Sequence, residues 1–222
     1  MYMRLMLEKA HEKKVTVRRD DFASYGKKLN LFSGVLDWFP RISEYGRAGG
    51  FKVSHHVISS GIREMILGSP IAKYLEDIYA SSFVYDHYGI ANWPALALNY
   101  TTKTQYLFRI NKGVKEVYDH SQVNAYVPPA MRPVPFTNMI FVGDGETDIP
   151  CFRLVKELGG HSIAVYQPHR KGAKARSDKL VREGRVNFAV PADYTEKKPL
   201  DQAVKVIMEK VAADHYVNCL GQ

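Results

Sequence analysis

The spacing of apolar positions changes once along the chain. Up to residue 50 they recur three and four residues apart, and from Phe51 onward short apolar runs alternate with helical stretches. Met1–Lys14 reads as a helix with Leu5, Met6, Lys9 and Ala10 on one side, and no capping Ser, Thr, Asp or Asn precedes it. Asp20-Asp21 open a second helix at Phe22. Ser33 caps a third that buries Val35, Leu36, Phe39 and Ile42, with Pro40 kinking or dividing it and Gly49-Gly50 ending it. Past Phe51, Val53 and Val57-Ile58 form a strand that runs into Ser59-Ser60-Gly61, and a helix follows through Ile62, Met65, Ile66 and Leu67. Tyr79–Tyr85 is a strand, and the turn-rich stretch His87–Tyr100 is a short hairpin. Thr101–Tyr118 is helical with Tyr106, Leu107 and Ile110 inward and a disturbance at Gly113; Pro128–Pro135 is a loop. Strands at 139–142, 162–166 and 186–190 alternate with helices beginning at 149, 171 and 200. Alternation of this kind predicts an α/β fold with a doubly wound, mostly parallel sheet.

Composition narrows the class. The chain has 222 residues, 45% hydrophobic and 24% charged, which suits one globular α/β domain with an appended piece. No apolar run is long enough to span a bilayer, and the charged start is no secretory signal. Cys151 and Cys219 lack metal-ligand spacing, and Cys151 lies on the apolar side of its helix as a reduced core thiol, so a cytoplasmic setting is expected. The net charge of +8 favours an anionic partner, a phosphorylated small molecule or nucleic acid. The densest basic stretch is His169–Arg176; no recognition motif accompanies it, so nucleic acid is the weaker choice.

Candidate chemistry gathers at Phe141-Val142-Gly143-Asp144-Gly145-Glu146-Thr147-Asp148. An apolar run ends in a glycine turn with two carboxylates four residues apart, and a helix follows through Ile149, Phe152, Leu154, Val155 and Leu158. In open α/β sheets the carboxyl edge of the strands is where ligands bind. Two oxygen-only side chains there suit Mg²⁺, which takes a few carboxylates plus waters and phosphate oxygens. The plainer reading is an Asp-Gly turn with Thr147 or Asp148 capping the helix and Pro150 in its first turn. His55 and His56 are adjacent, point to opposite faces of a strand, and read as structural.

Ser59 at a strand end, Lys112 in Asn111-Lys112-Gly113 and the acidic turn stand in one order. In that order the chain resembles the haloacid dehalogenase (HAD) superfamily of phosphohydrolases, in its phosphoserine-phosphatase-like branch with a helical cap, over nearly its whole length. The resemblance implies that the Ser59 hydroxyl, with the amides of Ser60 and Gly61, holds phosphate oxygens. It implies that Lys112, with Lys103 as the rival, is a fixed positive charge beside the transferring phosphoryl group. It also implies that Asp144 and Asp148 hold Mg²⁺, with Asp148 orienting a metal-bound water or the lysine. Arg41 and Arg47 would meet the substrate's other end.

One part of the family pattern is missing. An apolar strand ending in Asp-x-Asp-x-Thr/Val should carry the nucleophile and the general acid/base, and Asp20-Asp21 and Asp37 do not match it. The expected division is a helical cap remnant at 1–48 and a HAD-like α/β core at 49–222 lacking its central first strand. The strands bearing Ser59 and Gly143 would then lose a shared neighbour, lowering the melting temperature below that of an extended chain. The function implied is a Mg²⁺-dependent phosphatase acting through an aspartyl-phosphate, present as an N-terminally truncated and inactive fragment. The alternative is a non-catalytic phosphate- or Mg²⁺-binding module whose basic surface meets a protein or nucleic acid.

Overall fold

A computed structural model describes residues 2–220. In chain order the elements are α1 (Tyr2–Glu12), α2 (Arg19–Gly26), α3 (Val35–Ala48), β1 (His56–Ile62), α4 (Arg63–Gly68), β2 (Asp77–Tyr85), β3 (Ala91–Leu96), α5 (Lys103–Lys112), α6 (His120–Asn124), β4 (Ile140–Gly143), α7 (Ile149–Glu157), β5 (His161–Tyr166), α8 (Ala173–Arg182), β6 (Phe188–Pro191) and α9 (Pro199–Leu220). The fold is α/β, as the alternating pattern predicts. The strands form two three-stranded sheets, ordered β1-β2-β3 and β4-β5-β6, rather than one. Each sheet ends on one of the two strands, β1 and β4, that the missing strand was expected to separate. No described helix is long and apolar enough to cross a membrane.

The chain divides into two compact units. The first takes the chain up to Leu31 together with Ser54–Asn99. Here β1 runs parallel to β2, and β3 pairs antiparallel to β2. The short hairpin expected within His87–Tyr100 is instead a single strand, β3, whose partner is β2. Met3, Phe22, Ile62, Phe83 and Ala91 form its core, with Phe22 stacked on Phe83 at 5.7 Å between ring centres. Helices α2 and α4 pack backbone to backbone: a Cβ on Gly26 would come within 2.1 Å of the Met65 carbonyl oxygen.

The second unit comprises Phe32–Val53 and the chain from Tyr100 onward. Strands β4, β5 and β6 are all parallel. β5 is covered on both faces, as parallel strands normally are. Ile163 and Val165 pack with Trp38, Ile42, Leu200, Val204, Ile207 and Met208, while Ala164 packs with Phe152 and Val186. Pro40 lies within α3 and does not divide it. The buried face of α3 is Val35, Trp38, Ile42 and Gly46; Leu36, expected inside, is half exposed.

The expected boundary between residues 48 and 49 is therefore not where the chain divides. α3 departs from α1 and α2 because its Trp38 and Ile42 share a core with α9. Its Arg41 also pairs at 3.1 Å with Asp201, buried at the start of α9.

Candidate functional site

The site is built where β4 meets α7. After Gly143 the chain turns through Asp144-Gly145, makes one 3₁₀ turn over Glu146–Asp148 and enters α7. Asp148 folds back under its own turn: the Gly145 amide donates to its Oδ2 at 3.2 Å. Its Oδ1 accepts from Lys103 Nζ at 2.7 Å, and the same amine lies 3.4 Å from Thr147 Oγ1. Gly143 makes room for this return, since a Cβ there would stand 2.6 Å from Asp148 Oδ2.

The Lys103–Asp148 pair is almost dry, with side chains only 6% and 10% exposed. Desolvating two charges is expensive, and a buried pair adds little net stability while making either partner costly to remove. It does fix a positive charge at the carboxyl edge of a parallel sheet. Cys151, one helical turn on, is fully buried; burial and then the Asp148 charge push its thiol up to about 12, so it is inert.

Asp144 is exposed at the tip of the turn. Its charge reaches Tyr194: burial first, and the Asp144 carboxylate second, push the Tyr194 phenol up to about 12. That ring is held edge-on to Trp38 at 5.1 Å and stacked on Phe32 at 6.3 Å. Arg41 donates to the Tyr194 carbonyl at 2.6 Å, so this arginine is engaged in fixing the loop beside Asp144. Arg47 is exposed and pairs with Glu44. Tyr194 belongs to no motif; its sequence signal is only an aromatic just past the end of β6.

Other expected site residues are placed differently. Lys112 is not beside the acids: its Nζ donates at 2.7 Å to the carbonyls of Val123 and Ala125. The cause is Gly113, whose left-handed φ of 70° ends α5 and puts Lys112 in its last turn. In the other unit, Ser59 lies within β1, not at its end. Its Oγ accepts from the Gly61 amide at 3.0 Å, and Ser60 O accepts from Tyr2 Oη at 2.7 Å. The chain stays extended to Ile62, so Ser60 and Gly61 do not open a helix as expected. His56, part-buried, meets Asp77 at 2.9 Å through Nδ1 and Ser54 at 2.9 Å through Nε2, in line with a structural role.

Among the described residues no group of three His, Cys, Asp or Glu side chains forms a ready metal cluster. Asp148 has one oxygen on Lys103 and the other on the Gly145 amide. Asp144 is thus the carboxylate suited to a cation, and Mg²⁺ asks for only one or two protein carboxylates beside water and phosphate oxygens. The donor set fits Mg²⁺ as part of a shell.

Comparison with known proteins agrees with this architecture. The chain superposes on a crystal structure of a HAD family hydrolase from Salmonella enterica serovar Typhi with a TM-score of 0.52 and 18% identity, over 86% of this chain and 51% of that one. The fold is that of a HAD family hydrolase, and the chain spans about half the length of that structure. No family model matches the chain. An uncharacterized protein of Borreliella burgdorferi is 32% identical over 207 residues, covering 84% of this chain and 68% of that protein, and the chain belongs to its family.

Proposed function

We propose that the turn after β4 is the metal and phosphoryl end of a Mg²⁺-dependent phosphohydrolase of the phosphoserine-phosphatase-like branch. Its substrate is a phosphorylated small molecule. The observation that carries this is the desolvated contact of Lys103 with Asp148 at the carboxyl edge of the sheet, beside an exposed Asp144. Asp144 would hold the cation. Bound there, Mg²⁺ would neutralise charge on the phosphoryl oxygens. Lys103, rather than Lys112, presents a fixed ammonium to the same developing charge, already stripped of water. Asp148 positions that ammonium through the 2.7 Å contact.

The nucleophile in this reading is an aspartate that none of the residues described above supplies; it attacks phosphorus as the phosphorus–oxygen bond to the substrate's alcohol breaks, the alcohol leaves with a proton, and water then splits the aspartyl-phosphate to release inorganic phosphate. The test is Mg²⁺-dependent phosphatase activity of this chain and of one extended by the upstream in-frame coding sequence. We expect none from the first and turnover from the second, abolished by Asp144→Asn. An extended chain that is folded and inactive toward a panel of phosphomonoesters would leave the non-catalytic module as the better reading.

A further inference from the structure

Past the end of β6 the chain is pinned to the start of α3. The Tyr194 amide donates to Ser33 O at 2.8 Å, its carbonyl accepts from Arg41 Nη2 at 2.6 Å, and Asp193 Oδ1 accepts from the Thr195 amide at 3.0 Å. Gly34, at a left-handed φ of 77°, lets α3 begin directly against this backbone: a Cβ there would stand 2.4 Å from Thr195 N. Phe32 stacks on the Tyr194 ring and Trp38 meets it edge-on. Backbone and ring are fixed, yet the hydroxyl is spared. No described residue hydrogen-bonds it, and it is open to solvent. A tyrosine with its ring packed away normally finds its hydroxyl a partner.

The course of β4 brings Asp144 to the same side. Side chains alternate between the two faces of a strand. Ile140 and Val142 pack against the core that α3 and α9 cover, while Phe141 packs on the opposite face with Phe152. Asp144, two residues after Val142, therefore leaves the sheet on the α3 and α9 side, where Tyr194 packs against the same core. Gly143, Ala164 and Ala189 are partners at one level of β4, β5 and β6. The acidic turn and the Tyr194 loop thus leave one edge of one sheet, from strands about 10 Å apart, close enough for one small ligand to touch both. The Tyr194 phenol, raised first by burial and then by the Asp144 carboxylate, fits that placement.

We propose that Tyr194 is a substrate-contacting residue of the acidic turn, its hydroxyl donating a hydrogen bond to a phosphoryl oxygen of the compound whose cation Asp144 would hold. This deepens the phosphohydrolase reading and rests on it. The hydroxyl adds direction without adding charge, and the clamp around the ring has already met the cost of ordering it.

The test uses Trp38 as the reporter. Trp93→Phe, at an exposed position, removes the chain's other tryptophan and leaves emission from the ring that lies edge-on to Tyr194. Inorganic phosphate is titrated into this chain in excess Mg²⁺, with and without Tyr194→Phe, which keeps the ring and deletes only the hydroxyl. We expect a saturable change in Trp38 emission and an affinity about tenfold weaker in Tyr194→Phe. The urea midpoint should stay unchanged. Equal affinity in the two chains would overturn the role of Tyr194 and leave the acidic-turn reading standing. A urea midpoint that falls in step with the affinity would also overturn it, marking the hydroxyl as structural. Absence of Mg²⁺-dependent binding in the parent chain, or full retention in Asp144→Asn, would remove the acidic-turn reading and this proposal with it.

Discussion

Helix α5 carries a lysine at each end, and the two have opposite surroundings. Lys112, in the last turn, sits where a helix favours a cation, and it satisfies two backbone carbonyls. Lys103 opens the first turn, where a cation is disfavoured, no acid precedes it and Thr102 supplies no side-chain cap. It is nonetheless buried, with Asp148 as its counter-charge. Helix physics accounts for the first lysine completely. It does not account for the second, whose place is explained only by the acidic turn it meets. A residue at odds with its own helix is the better functional candidate.

The comparison can be broken most sharply at Lys103. Lys103→Met leaves a desolvated carboxylate without its cation and should cost about 3–5 kcal/mol in urea unfolding. Lys103→Met/Asp148→Leu should recover most of that loss, because neither charge remains buried; additive losses would show that the two side chains do not act as a pair. Next in size is Gly143→Ala, which forces Asp148 from its place and should destabilise by about 1–3 kcal/mol. Lys112→Met, which removes two hydrogen bonds to part-exposed carbonyls, should cost only about 1 kcal/mol. A larger effect at Lys112 than at Lys103 would reverse the contrast.

A smaller and pH-dependent effect comes from Asp201, the other buried carboxylate of the same unit. Burial alone would raise its pKa, but donation from Lys197 N at 2.9 Å, Lys205 Nζ at 3.0 Å and Arg41 Nε at 3.1 Å outweighs it and holds the carboxyl below the usual range. The folded state therefore binds a proton less readily than the unfolded chain. The Asp201 contribution is complete above the unfolded aspartate pKa of about 4 and is lost as pH falls through the folded value. Acid unfolding of Asp201→Asn should show a shallower loss of stability below pH of about 4; an unchanged slope would count against these three hydrogen bonds.

Much of the second unit was legible in the sequence. The apolar runs fix β4, β5 and β6 within two residues; β5 is the strand buried along its length, as an unbroken hydrophobic stretch requires, while β4 and β6 are only part-buried. Asp144 and Asp148 were placed at a strand end by the same logic. The choice between lysines was not legible, since it depended on where Gly113 ends α5 and on which lysine faces α7. Nor was the reach of β1 through Gly61: Ser59-Ser60-Gly61 carries turn-like residues that the pairing with β2, through an irregularity after Ser59, holds extended. The assignment of α3 depended on Trp38 and Arg41 finding partners some 160 residues away, which no local pattern encodes.

The most direct measurement is Mg²⁺-dependent phosphate release by the N-terminally extended chain, comparing Lys103→Met with Lys112→Met under conditions where circular dichroism shows both folded. The account predicts a loss of about a hundredfold or more for Lys103→Met and a nearly unchanged rate for Lys112→Met. A full rate with Lys103→Met, or a loss confined to Lys112→Met, would contradict it.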